Sequence, residues 1–211
     1  MSQVPQAAPE SPGAQRGQPD DAGLIAESCR VPERFGAVFD RHAPAIHGYI
    51  ARRLGRDAAD DLVAETFLVA FRQRASYDPE QPSARPWLYG IATRLVSRRR
   101  RDEVRFFRAI ARTGIDPAAN PITEPVADVG ARRADAQALH RRLASALALL
   151  SAPDRDALLL VADGLSYQEA ARALGVPAGT FSSRLARARR VVRAELGGAN
   201  PADERQEPSH E

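Results

Sequence analysis

Ser166–Leu196, SYQEAARALGVPAGTFSSRLARARRVVRAEL, decides the fold: it predicts two helices joined by a tight turn, with arginine along the outer face of the second. Ser166 and Glu169 have the S-x-x-E spacing of a capping box, in which each side chain satisfies a backbone N–H at the helix start. Tyr167, Ala170, Ala171 and Leu174 then fall on one helical face. Gly175 follows, the residue best able to adopt the left-handed conformation that ends a helix. Pro177 suits the first turn of the next helix, where its missing N–H would be unpaired in any case. Phe181, Leu185, Ala188 and Val192 form the inward seam, leaving Ser183, Arg184, Arg187, Arg190 and Arg193 outside. A docked helix that offers hydroxyls and arginines in this way suits entry into the major groove of DNA.

Working outward, the same helical spacing recurs and no strand pattern does. Leu139, Leu143, Ala146, Leu147 and Leu150 predict one preceding helix, and Leu158–Val161 lie in the next, with Pro153 at the turn and Gly164 at the end. Upstream, Phe35, Val38, Phe39, His42, Ile46, Tyr49 and Ile50 repeat at three- and four-residue steps as far as Leu54-Gly55. A second helix over about 58–75 turns Leu62, Val63, Phe67, Ala70 and Phe71 inward. After the proline-rich loop Ser76–Pro86, a third helix from about Trp87 carries Leu88, Ile91, Leu95 and Val96 into the arginine tract Arg98–Arg101. The expected fold class is all-α: two small helical domains, 31–108 and 135–196, joined by a flexible linker over 109–134. The linker is marked by Gly114, Pro117, Pro121, Pro125 and Gly130. The N-terminal extension 1–30 and the tail 197–211 are too poor in large apolar groups to offset ordering entropy, and disorder is expected there.

Composition narrows the function. The net charge is only +3, but the basic residues, all of them arginine, gather at Arg94–Arg108 and Arg184–Arg193, while acids gather at Asp57–Glu65 and in the linker. That separation points to nucleic acid more strongly than the net charge does. A single cysteine, Cys29, excludes an internal disulfide. No run approaches the roughly 20 apolar residues that a membrane span needs, and the N-terminus lacks the apolar core of a signal peptide, so a cytoplasmic protein without membrane insertion is expected. The histidines have no metal-ligand spacing, and no phosphate loop, nucleophile elbow or HExxH occurs. Neither catalysis, a metal nor a cofactor is expected.

Two further features need a partner. Arg94, Arg98 and Arg101 lie at steps of four and three on one predicted helix side, with Tyr77 and Trp87 nearby. Rings interleaved with arginine suit single-stranded nucleic acid, since bases stack on the rings while the backbone is neutralised. Tyr77, in the loop, is the better stacking candidate, and Trp87, at the start of an apolar helix, the better core candidate. Asp61 and Glu65, one turn apart, share a side with Asp60 adjacent; DNA would repel this face, which suits either a basic protein surface or plain solvation. By residue pattern alone, a stand-alone helix-turn-helix regulator with an N-terminal helical sensor or dimerisation domain also accounts for Ser166–Leu196, although it leaves this face unexplained.

The chain resembles the extracytoplasmic-function sigma factors of the sigma-70 family. The resemblance rests on DDLVAETFLVAFRQRASYD (Asp60–Asp78), ARPWLYGIATRLVSRRRR (Ala84–Arg101) and LSAPDRDALLLVADGLSYQEAARALGVPAGTFSSRLARARR (Leu150–Arg190), in the family's order and spacing. It implies core RNA polymerase and promoter DNA as partners, with an anti-sigma factor as a further partner of many members. Asp60, Asp61, Leu62, Glu65, Thr66 and Phe67 would bind polymerase. Tyr77, Arg94, Ser97, Arg98 and Arg101 would serve the minus-ten element, and Thr180, Ser182, Ser183, Arg184 and Arg187 the minus-thirty-five element. The linker, with Asp116, Glu124 and Asp128, would thread toward the RNA channel. The chain departs from the family pattern at Phe181-Ser182, where a basic residue is common, and at Ala92–Ser97, which lacks the frequent asparagine.

Overall fold

The computed structural model describes residues 20–115 and 129–197. Among these, every regular element is helical: α1 (Asp21–Ser28), α2 (Phe35–Leu54), α3 (Arg56–Gln73), α4 (Arg85–Arg98), α5 (Arg100–Thr113), α6 (Val129–Leu149), α7 (Ala152–Ala162), α8 (Tyr167–Leu174) and α9 (Ala178–Glu195), with 3-10 turns at Pro32–Arg34 and Arg74–Ser76. No helix among the described residues is long and apolar enough to cross a membrane.

Helices α2, α3 and α4 form the first core. Val38, Ile46, Tyr49 and Ile50 of α2 meet Leu62, Val63, Phe67 and Ala70 of α3 and Leu88, Ile91, Leu95 and Val96 of α4. The sharp α2–α3 corner is made at Gly55, whose φ of 88° favours glycine. In α4 the buried residues run without a gap from Leu88 to Val96 except at Arg94. A helix buried nearly all round has neighbours on more than one side. Here α2 and α3 lie on one side and α8 on the other.

The second unit is built as its sequence predicts. Ser166 Oγ accepts from the Glu169 N–H and the Glu169 carboxylate accepts from the Ser166 N–H, completing the capping box. Gly175 ends α8 at φ 63°, and Phe181, Leu185 and Ala188 are buried along α9. Pro177 stands one place earlier than expected, at the N-cap of α9. Leu160, Leu165, Ala170, Phe181 and Leu185 join the same continuous core as α2–α4, so the two units pack against each other. A second contact sets Phe107 of α5 with Leu147 and Leu150 of the second unit and Ala188 of α9.

A buried ionic cluster crosses between the units. The Arg53 guanidinium, 1% exposed, donates to Glu103 Oε1 of α5 at 2.6 Å, to the Tyr49 hydroxyl at 2.5 Å and to Asp156 Oδ1 of α7 at 2.5 Å. Tyr49 shares a 2.8 Å hydrogen bond with Thr93 of α4. Arg155 of α7 reaches Glu103 at 3.5 Å and donates to the Leu150 carbonyl at 3.1 Å, leaving its Nε without a partner. Burial pushes the Asp156 carboxyl above the usual carboxylate range even though Arg53 lies against it.

Four expectations are corrected. Disorder over 1–30 does not extend to α1, whose Leu24 and Ile25 are buried; residues 1–19 lie outside the described residues. The third helix is two, broken at Arg99 (φ −97°, ψ 28°), because Glu103, Phe107 and Ile110 of α5 turn inward while the arginines stay in water. The linker is consequently shorter than 109–134, since α5 runs to Thr113 and α6 begins at Val129; its Asp116, Glu124 and Asp128 lie outside the described residues, as does 198–211 of the tail. Leu139 and Leu143, expected inward, are 53% and 37% exposed, and Tyr167 is 46% exposed over the Phe181 ring.

Helix α1 is held by a buried carboxylate. Asp21 accepts from Arg41 at 2.5 Å and from the Ala84 N–H at 2.7 Å, and pairs with His42 Nε2 at 2.8 Å. Burial alone would raise its pKa, but these bonds outweigh burial and hold it at about 2, below its ordinary 3.8. A carboxyl lowered on folding stabilises above its unfolded pKa and loses that stabilisation as pH falls through its folded one. The shift corresponds to about 2 kcal/mol. Asp21→Asn should lower the unfolding free energy by about that amount at neutral pH. In denaturant titrations the two proteins should converge as the pH falls from about 4 to about 2. Arg53→Met strands Asp156 in the interior and leaves Glu103 only its 3.5 Å contact with Arg155, and should cost roughly 3–5 kcal/mol by the same assay.

Candidate nucleic-acid interface

Helix α9 leaves Thr180, Ser182 and Ser183 exposed at its N-terminal end, the end that major-groove readers present to base edges. Ser183 Oγ donates to the Gly179 carbonyl at 3.0 Å, which satisfies the hydroxyl along the helix. Arg184 is half-buried. Arg187 differs from its neighbours: its Nε and Nη2 donate to the Asp154 carboxylate of α7 at 3.3 and 2.8 Å, and that partner pushes its pKa up. Arg187 thus braces α9 on α7.

On α4, Arg94, Ser97 and Arg98 are exposed and line one side of a crevice of about 430 Å³. Arg101 is not on that wall, because the break at Arg99 places it on α5, and the expected common side with Arg94 and Arg98 is corrected. Tyr77 and Trp87 stand together with ring centroids 5.0 Å apart, both half-buried. The Tyr77 hydroxyl donates to the Gln81 carbonyl at 2.6 Å. Burial, with Asp21, Asp78 and Asp20 nearby, pushes this phenol up to about 12, so it stays protonated as a donor. The pair edges a pocket of about 260 Å³ that also takes in Ser76, Asp78, Gln81 and Ser83. Two rings beside hydrogen-bonding groups in a pocket of this kind suit an unstacked base.

Helix α3 presents the acidic face on the opposite flank of the first core. Asp60 and Asp61 are exposed and Glu65 is half-buried, with His47 Nε2 3.1 Å from Asp60. Leu62, Thr66 and Phe67 are 1%, 0% and 5% exposed, which corrects their expected role as contacts. Thr66 donates to the Leu62 carbonyl at 2.6 Å, and Phe67 packs edge-on against Phe39 with centroids 4.8 Å apart. These residues shape the helix without reaching a partner. The apolar groups that do reach solvent are Phe39 and Leu68, 42% and 46% exposed. The sequence spacing groups Phe39 with the α2 apolar repeat and passes over Leu68; for Leu68 the available signal was its place three residues after Glu65, off the core positions Val63, Phe67 and Ala70, whereas Phe39 had none.

Among the described residues no group of three His, Cys, Asp or Glu is placed to hold a metal ion.

Comparison with known proteins bears on these surfaces. Residues 38–106 match sigma-70 region 2, and residues 140–191 match sigma-70 region 4. The ECF RNA polymerase sigma factor SigC of Mycobacterium tuberculosis is 38% identical over 189 residues, spanning 87% of this chain and 95% of that protein. The RNA polymerase sigma factor CarQ of Myxococcus xanthus is 31% identical over 168 residues, 78% of this chain and 90% of that one. Of solved structures, CnrH in complex with the cytosolic domain of CnrY superposes with a TM-score of 0.57 at 26% identity, covering 85% of this chain and 99% of that one. The sigma factor RpoE of Bartonella quintana, in complex with the anti-sigma factor NepR, gives 0.54 at 26% identity, covering 80% and 99%.

With Phe67 in the core, Phe67→Ala should cost roughly 3–5 kcal/mol of stability. A lowered melting midpoint checks this; an unchanged midpoint would return the ring to the list of surface contacts.

Proposed function

The chain belongs to the extracytoplasmic-function sigma factors of the sigma-70 family, and we propose that its three separate faces carry the three tasks of such a subunit. It is a promoter-specificity factor: it binds core RNA polymerase and directs transcription initiation at selected promoters. Helices α1 to α5, residues 21–113, form the unit for polymerase and the minus-ten element, 114–128 the connection, and α6 to α9, residues 129–195, the unit for the minus-thirty-five element. The acidic α3 face, Asp60, Asp61 and Glu65 with Leu68 and Phe39 beside them, docks on polymerase. Arg94, Ser97 and Arg98 with the Tyr77–Trp87 pocket take the unpaired minus-ten strand. Thr180, Ser182, Ser183 and Arg184 read the minus-thirty-five duplex. The subunit acts in the cytoplasm without chemistry of its own. An anti-sigma factor, the kind of partner that holds one solved relative, is its third partner.

The observation that carries this assignment is the segregation of charge. An acidic, partly apolar face on α3 is useless for DNA, while α4 and α9 each offer unpaired arginine and hydroxyls. A stand-alone helix-turn-helix regulator has no need of the α3 face, and the paired region 2 and region 4 matches remove that alternative. Phosphate contacts supply much of the DNA affinity, which should fall steeply with salt. Tethering makes the second contact intramolecular and strengthens the whole.

The test is transcription in vitro by purified core polymerase on a fragmented host-genome library. Discrete new start sites should emerge only when the chain is added; none, with tight duplex binding by the chain alone, would sink the assignment. Arg184→Ala should reduce initiation from the promoters so found by roughly 1–3 kcal/mol. Leu68→Ser should leave stability within about 0.5 kcal/mol yet weaken binding to core polymerase in a pull-down or titration.

A further inference from the structure

We propose, on the assignment of α9 to the minus-thirty-five duplex made above, that Asp154 of α7 is a positioning residue for duplex reading: it fixes the Arg187 guanidinium so that the free edge of the fork meets a guanine in the major groove.

The stripe on which Arg187 stands is the first observation. Thr180, Ser183 and Arg187 occupy i, i+3 and i+7, one side of α9. Arg187 therefore shares the face that bears the exposed hydroxyls, about 6 Å beyond Ser183 along the axis. Its side chain is 52% exposed, whereas that of Asp154 is 12% exposed. Among the described residues no other arginine of α9 pairs with a carboxylate.

Asp154 is itself held. It lies in the first turn of α7, where the helix dipole favours an acid, and its N–H donates to Ser151 Oγ at 3.3 Å. Pro153 precedes it and fixes one backbone angle of that turn. Because α7 packs along α9, the carboxylate is a rigid ledge beside the reading stripe.

The bond pattern leaves the useful edge of the fork open. Arg187 gives Nε to Asp154 Oδ2 at 3.3 Å and Nη2 to Oδ1 at 2.8 Å. Those donors share one edge of the planar guanidinium. Nη1 and the second hydrogen of Nη2 form the adjacent edge, which has no hydrogen-bond partner among the described residues. Two parallel N–H groups on that edge match the O6 and N7 acceptors of guanine. A free arginine must give up rotamer freedom to meet a base in one plane; the hold by Asp154 has already removed it. Phosphate is the poorer ligand for this edge. The carboxylate offsets the charge on which a phosphate contact depends, and it repels phosphate oxygens. Arg190 and Arg193, exposed and without such a partner, suit phosphate better.

The test uses holoenzyme, core polymerase with the full chain, on a promoter recovered by the transcription experiment above. The probe is that promoter as a fluorescent duplex in which 7-deazaguanine, which lacks the N7 acceptor, replaces each guanine of the minus-thirty-five element in turn. With the unaltered chain, one replacement should weaken binding about tenfold. Asp154→Ala should erase most of that penalty and leave those at other guanines unchanged, and Asp154→Asn, able to accept one of the two bonds, should erase part of it. Arg187→Lys keeps a cation for Asp154 but has no fork, and should erase the penalty too. Combining Asp154→Ala with Arg187→Lys should add nothing further. A purely structural role for the pair would lower the melting midpoint or weaken every duplex alike, without touching that one discrimination. No guanine sensitive to the loss of N7, or a sensitivity that survives these substitutions, overturns the proposal. So does uniform tightening of every duplex by Asp154→Ala, the sign of a carboxylate that only withholds Arg187 from phosphate. Absence of new starts with the unaltered chain would instead overturn the minus-thirty-five assignment, and the proposal with it.

Discussion

Arg53 is the fixed point of this molecule. A guanidinium with no access to water must find acceptors for its donors, and each acceptor it finds belongs to a different element. Tyr49 keeps it on α2, Glu103 draws in α5 and Asp156 draws in α7. For Glu103 to arrive, the chain after α4 has to change direction, and the break at Arg99 supplies the turn. That same break ends α4 at Arg98 and places Arg100 and Arg101 on α5. The demands of one buried cation thus set where the basic face stops, how the second unit approaches the first, and which side of α4 is left to meet it.

The arrangement also explains how one small body keeps opposed surfaces apart. Helix α3 meets the core through Ala59, Leu62, Val63, Thr66, Phe67 and Ala70, and its acids project from the far side. Helix α4 lies behind that core, so the negative face of α3 and the basic face of α4 do not neutralise each other. Each keeps its sign for a separate partner. The aromatic pair at Tyr77 and Trp87 sits where the α3–α4 loop enters α4, alongside the basic face, which places stacking and phosphate neutralisation within one strand's reach.

Much of this was legible in the sequence because it is local. The capping box at Ser166, the stop at Gly175, the α9 seam at Phe181, Leu185 and Ala188, and the corner at Gly55 all follow from spacing and backbone preference. What escaped was set by distant contacts. Helix α1 has two large buried apolar residues and is ordered by Asp21, a polar group whose partners lie twenty and more residues away. The division of the third helix answers to Arg53, fifty residues from Glu103. On α6, Leu139 and Leu143 keep helical spacing yet face out, since periodicity gives a stripe without saying how far along it the neighbour extends. At the candidate site, charge runs marked the α3, α4 and α9 faces, but which apolar residues reach solvent beside them depended on burial: Leu62, Thr66 and Phe67 are buried while Phe39 and Leu68 are exposed.

The short α1 helix has a mechanical meaning beyond its contribution to stability. It touches both ends of the α3–α4 connection: Arg74 Nε donates to the Ser28 carbonyl at 3.2 Å, and the Ala84 N–H donates to Asp21 at 2.7 Å. The loop that carries Tyr77 is therefore splinted from outside by a helix 46 to 63 residues earlier in the chain. Its shape is set less by its own prolines than by the tension between those two anchor points. Loss of α1 would release that loop at both ends at once, so the Tyr77–Trp87 pairing depends on a helix that contributes no residue to it.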